Sequence, residues 1–76
     1  MIHVLIVEDE EVIRSGLEYT IDWLSMKACV VGSAVNGEDG LEKIKELSPD
    51  IVISDIRMPK MDGLDMIRKA QELGCI

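Results

Sequence analysis

Apolar residues along the chain keep two different rhythms. Short β-branched runs alternate with stretches in which apolar positions recur every three or four residues. Ile2 to Val7 is such a run, and it ends in Glu8, Asp9 and Glu10; a strand buried on both faces reads this way. From about Glu11 to Leu24 the rhythm changes to helical spacing, with Ile13, Leu17, Ile21 and Leu24 forming one stripe beside Gly16 and Thr20. Trp23 closes that stripe. Cys29 to Ala34 returns to the strand pattern, and Asn36-Gly37 supplies a turn and a cap. A second helix carries Leu41, Ile44 and Leu47 and stops at Pro49. Asp50 to Ser54 reads as a third strand. Asp62 then caps a third helix whose apolar face is Met66, Ile67, Ala70 and Leu73 and whose end is marked by Gly74.

The order β-α-β-α-β-α predicts an α/β domain, a parallel sheet with helices on both faces and right-handed crossovers. A chain that steps from the first strand to the second, and then back past the first to the third, gives the strand order 2-1-3. The first helix then lies alone on one face while the second and third share the other. The direction of winding reverses beside the first strand, and open α/β sheets place their sites at such a reversal, outside the carboxyl ends of the strands.

Composition narrows the function classes. Eight Lys and Arg against fifteen Asp and Glu give a net charge of −7, so no clustered basic surface for nucleic acid is expected. No Phe, one Trp and one Tyr among 76 residues point to an aliphatic, methionine-bearing core, with Met58 and Met61 as lids on it. The opening MIHVLIV is too short for a signal segment, and no apolar stretch approaches the roughly 20 residues of a membrane span. A cytoplasmic protein is expected. Cys29 and Cys75 match no metal-ligand spacing and read as reduced thiols with a packing role. His3, inside the first strand, is given no role.

The stretch ISDIRMPKMDG, residues 53–63, sets a single aspartate at the mouth of an apolar run. With the strand order above, Asp55 leaves the carboxyl end of the third strand beside Glu8 and Asp9, which leave the first, at a strand spacing of about 4.8 Å. Three carboxylates converge there, and packed anions raise one another's pKa unless a cation sits among them. Carboxylates and water suit a hard divalent ion such as Mg²⁺. With that ion in place, Asp55 can act as a nucleophile toward a phosphoryl group. The plainer role of such acids is to favour the positive end of the following helix, which Glu10 and Glu11 can do without any metal. Pro59 and Gly63 are read as turn residues, Gly63 permitting a tight approach to the third helix.

Taken together, VLIVEDE and DIVISDIRMPKMDGL resemble the receiver domain of two-component response regulators, a flavodoxin-like (CheY-like) fold, and the resemblance runs across all 76 residues. The stretches IRSGLEYTIDW and VVGSAVNGEDGLEKI are similar to receivers that precede AraC-type helix-turn-helix outputs. The resemblance implies that Asp55 is the phosphoacceptor. It implies that Glu8 and Asp9 hold Mg²⁺, Asp9 directly and Glu8 through water, with the backbone carbonyl of Arg57 as a further ligand. It also implies a sensor histidine kinase as partner, and a signalling domain rather than an enzyme. Glu8 stands where aspartate is commoner in the family and reaches one methylene further.

Family receivers carry about five strands, ordinary for a doubly wound domain, so residues 1–76 are expected to form a receiver without the fourth and fifth strands and their helices. The family's Ser or Thr after strand four and Lys after strand five have no counterpart here, and Lys60 matches no family lysine. The third strand then becomes an edge, and such an edge recruits other strands. A homo-oligomer through that edge is expected. The competing reading is an assembly-prone fragment or pseudo-receiver with a silent site. A free-standing Mg²⁺-dependent phosphatase or nucleotide binder is disfavoured, because no G-x-G-x-x-G or Walker loop follows a strand.

Overall fold

The computed structural model describes Met1 to Cys75. Ile2–Val7 forms β1, the centre of a three-stranded parallel sheet in the order β2-β1-β3, with β2 at Ala28–Ala34 and β3 at Ile51–Ser54. The expected order 2-1-3 is therefore the observed one. Flanked on both sides, β1 buries Val4 to Val7 almost completely, which is why its sequence lacks a polar alternation. A register shift against β2 falls between Val4 and Leu5, while the β3 pairing runs evenly from Val4 opposite Ile51 to Val7 opposite Ser54.

Side chains leave the sheet to alternate faces. Leu5 and Val7 pack with Ala34, Leu41, Ile44, Met66 and Ala70 beneath helices α2, Gly37–Leu47, and α3, Gly63–Glu72. Met58 and Met61 lie against this cluster as the expected lids. On the opposite face Val4, Ile6 and Ala28 meet Leu17, Trp23, Val30 and Ile53 below helix α1, Glu11–Thr20. The two faces are unequal: α2 and α3 both contribute buried residues, and α1 contributes none.

The helices differ in capping as well. The Asn36 side chain accepts from the Asp39 backbone N–H at 2.9 Å, and Asp62 accepts from Asp65 at 2.8 Å, so α2 and α3 both start on a side-chain cap. Glu10, at the corresponding place before α1, makes no such bond.

Several expected boundaries shift. Helix α1 stops at Thr20 rather than Leu24: the Thr20 hydroxyl donates back to the Gly16 carbonyl, Ile21 turns extended, and Leu24–Met26 forms a separate 3₁₀ turn closed by Lys27 at φ 56°. Leu24 is consequently exposed, whereas Trp23 folds under α1 and donates its indole N–H to the Leu17 carbonyl at 3.2 Å. Asp50 lies just ahead of β3. Its N–H donates to the His3 carbonyl and its carboxylate accepts from the His3 N–H, a clasp that holds the strand start in place. Leu73, expected on the buried face of α3, ends the helix and is exposed. Of the two free thiols, only Cys29 is half-buried; Cys75 is exposed. Among the described residues, no helix is long and apolar enough to cross a membrane.

Candidate functional site

The even pairing of β1 and β3 fixes where the acids stand. Val7 faces Ser54 in the last paired rung, so the next residue on each strand, Glu8 and Asp55, emerges at the same edge. The Glu8 N–H still donates to Ala34 on β2 at 3.0 Å, and the Asp55 N–H to Val7 at 3.1 Å. Backbone bonds thus hold both residues at the sheet boundary before the chain departs. One carboxylate oxygen from each of Glu8, Asp9 and Asp55 lies within 4.8 Å of the others. The convergence expected from topology is present.

The three acids are not equivalent. Glu8 is only 5% exposed, whereas Asp9 and Asp55 are open to solvent. Burial first, and then the neighbouring Asp55 and Asp9 charges, raise the Glu8 pKa above its ordinary value; the Asp9 N–H, donating to Glu8 Oε2 at 3.1 Å, offsets this in part. The two ion pairs among the described residues, Lys43 with Asp39 and Arg68 with Asp65, lie along α2 and α3 and bring no cation to the cluster. An ionised, buried carboxylate flanked by two like charges is the arrangement a divalent cation relieves.

The donor set suits Mg²⁺. All three donors are hard carboxylate oxygens, and an octahedral shell with ligands at about 2.0–2.1 Å holds opposite oxygens about 4.2 Å apart. The three oxygens lie within 4.8 Å of one another, a spread comparable with that separation.

Asp55 is also held by its own loop. Its Oδ1 accepts the Ile56 N–H at 2.8 Å, and among the described residues no hydrogen bond engages the second oxygen. Its carbonyl accepts the Ser54 hydroxyl at 2.7 Å. Gly63 closes the loop from the far side: its N–H donates to Ile56 at 2.7 Å, and a Cβ there would overlap the Asp55 carbonyl oxygen. The tight approach expected of Gly63 is therefore made onto the backbone of Asp55 itself. Arg57 lies two residues beyond Asp55 in the exposed loop.

Two features escape the sequence reading. Arg14, on the second turn of α1, donates from Nη1 to the Glu8 backbone carbonyl at 2.8 Å; its only trace in the sequence is a cation six residues after the acid. Gly37, read only as a turn residue, lets the start of α2 press against the Met61 carbonyl, where a Cβ would collide.

Comparison with known proteins agrees with this geometry. The family described as response regulator receiver domain matches residues 4–74. The chain is 44% identical over 69 residues to the uncharacterized transcriptional regulatory protein YesN of Bacillus subtilis, covering 91% of this chain and 19% of that protein. It is 43% identical over 72 residues to a protein-glutamate methylesterase/protein-glutamine glutaminase of Methanosarcina mazei, covering 95% of this chain and 19% of the relative. Among solved structures, the REC domain of AraT, a response regulator from Geobacillus stearothermophilus, superimposes with a TM-score of 0.82 at 39% identity, over 92% of this chain and 54% of that one. The chain thus spans about a fifth of these curated relatives and about half of the solved domain.

Proposed function

The chain belongs to the response regulator receiver domain family, and from that premise we propose that it accepts a phosphoryl group on Asp55 from the phosphohistidine of a sensor histidine kinase. The observation that carries this reading is the meeting of Glu8, Asp9 and Asp55 at one sheet edge, with one Asp55 oxygen engaged in no hydrogen bond among the described residues. Glu8, Asp9 and Asp55 would hold Mg²⁺, together with the Arg57 backbone carbonyl. When bound, the ion supplies positive charge to the oxygens of the transferring group.

The residues of the chain do the rest. The free Asp55 oxygen forms the new O–P bond as the P–N bond to the donor imidazole breaks, and the departing nitrogen keeps the electron pair. The Ile56 N–H holds the other oxygen, so the carboxylate presents one face. Glu8 adds buried negative charge behind the site, which favours cation binding over an empty cluster. The chain has no general acid in this scheme. The reading assigns it acceptance, with transcriptional output carried by another domain, and the whole relatives' activities, methylesterase included, are not assigned to it.

Native mass spectrometry with Mg²⁺ and a small acyl-phosphate donor tests the proposal. A single phosphoryl adduct in the wild-type chain, lost in Asp55→Asn, is the expected result. Equal adduct on both chains, or none on either, would overturn it.

A second reading is favoured by one observation: β3 is an edge strand, and Ile51 at its start is 46% exposed. On this reading two copies pair through β3 and form a homo-oligomer whether or not Asp55 is modified. Sedimentation of wild type beside Ile51→Lys tests it, since a charge on an edge strand opposes pairing. A wild-type chain that sediments as a monomer at every concentration removes this reading.

A further inference from the structure

Arg14 touches the acidic site without touching its carboxylates. Its Nη1 donates to the Glu8 backbone carbonyl at 2.8 Å, bridging the second turn of α1 to the residue just beyond β1. Glu8, Asp9 and Glu10 join β1 to α1, and Glu10 gives α1 no side-chain cap. The other two helices that follow strands are both fastened by such a cap. The segment bearing two of the three acids is therefore secured at its helical end by the Arg14 bond. A guanidinium suits this task, because its donors are fixed in a plane and it stays charged at all working pH values.

We infer that Arg14 is a positioning residue for the metal site: by holding the Glu8 carbonyl it sets the path of the β1–α1 junction and with it the directions of the Glu8 and Asp9 side chains. This rests on the proposed function insofar as the site takes Mg²⁺. The alternative role for a cation beside three acids is electrostatic, and the two roles predict opposite signs. As a charge, Arg14 repels a divalent cation, so its removal tightens binding. As a positioning residue, its removal loosens binding, by about tenfold, the lower end of what outer-shell partners of metal ligands are worth.

The test uses the 76-residue chain as wild type, Arg14→Ala and Arg14→Lys. Mg²⁺ binding is read by isothermal titration, and exchange of the Asp9 amide is read by NMR without metal. The expected result is weaker Mg²⁺ binding by about tenfold and faster Asp9 exchange in Arg14→Ala, with α2 amides unchanged. Arg14→Lys, which keeps a donor of nearly the same reach, restores most of both. Unchanged or tighter Mg²⁺ binding in Arg14→Ala with unchanged Asp9 exchange overturns the inference. A wild-type chain that takes no Mg²⁺ defeats the proposed function instead, and Asp9 exchange alone then decides the role of Arg14. If Arg14→Ala does not fold, Arg14→Met keeps the apolar stem and carries the same comparison with Arg14→Lys.

Discussion

Gly63 lies so close to Asp55 that any side chain at its position would occupy the space of the Asp55 carbonyl oxygen, with the Ser54 hydroxyl only 2.9 Å away. The start of α3 is thereby a backstop for Asp55, the proposed acceptor. Gly63→Ala forces either the loop or the helix to move, and overpacking of this kind costs about 1–3 kcal/mol. Urea denaturation is expected to show that loss, and phosphoryl uptake by the folded fraction is expected to fall as well, because the Asp55 backbone is what has to shift. Undiminished uptake in the folded variant would mean that the acceptor tolerates displacement.

Glu8 couples stability to pH. Its folded-state pKa is raised above the ordinary 4.5, chiefly by burial and then by Asp55 and Asp9. The folded chain therefore holds the Glu8 proton more tightly than the unfolded chain does. The resulting stabilisation is complete below about pH 4.5 and is lost as pH rises through the raised value. Glu8→Gln removes that loss, so in metal-free buffer the variant is expected to gain on wild type from about pH 4.5 toward neutrality. On the proposed Mg²⁺ site, saturating Mg²⁺ reverses the ranking, since only wild type offers a third carboxylate, at position 8, beside Asp9 and Asp55. Denaturation series across pH, with Mg²⁺ and with chelator, check both halves.

The two faces of the sheet predict unequal costs for the same truncation. Ile44 is 1% exposed beneath α2, and Ile13 on α1 is 46% exposed. Ile44→Ala is expected to cost about 2–5 kcal/mol, whereas Ile13→Ala falls below that range because little apolar surface leaves the interior. Equal losses in guanidinium melts would show that α1 is seated more deeply than its exposure indicates.

Lys60, in the loop between Asp55 and α3, adopts φ 71°, a conformation that costs a side-chain-bearing residue about 1–2 kcal/mol. Glycine adopts it freely but adds freedom to the unfolded chain. Lys60→Gly is expected to stabilise the domain by up to about 1 kcal/mol, read as a higher denaturation midpoint at unchanged slope. A loss of stability would show that the lysine side chain makes a compensating contact.

The sequence was most legible where one physical constraint dominated. Val4 to Val7 are buried from both sides, and their unbroken apolar run says so; the order of runs then gives the strand order and, through it, the meeting of Glu8, Asp9 and Asp55. Asn36 and Asp62 are caps by residue type and cap in fact. Legibility failed where periodicity outlasted the helix. Leu24 keeps the phase of the α1 stripe and Leu73 that of α3, yet local bonds, from the Thr20 hydroxyl in α1 and from the backbone in α3, mark the end of each helix before the apolar residue can be buried. The unequal burial of the three acids was hidden as well, since it depends on how far each loop leaves the sheet. So was Arg14, whose bond spans a turn whose path periodicity does not encode.

The shallow seat of α1 divides the molecule into parts of different permanence. Opening a helix with no buried residue takes less free energy than unfolding the sheet, so molecules with α1 detached and Asp55 still in place outnumber those that are globally unfolded. In such molecules Asp9 loses its fixed direction, and the ion meets a reduced set of ligands. The apparent metal affinity is then the intrinsic one scaled by the docked fraction, and each bound ion in turn prolongs docking. If the site takes Mg²⁺ as proposed, cation concentration acts on the first helix as well as on the carboxylates, and loading the site and docking α1 become one equilibrium.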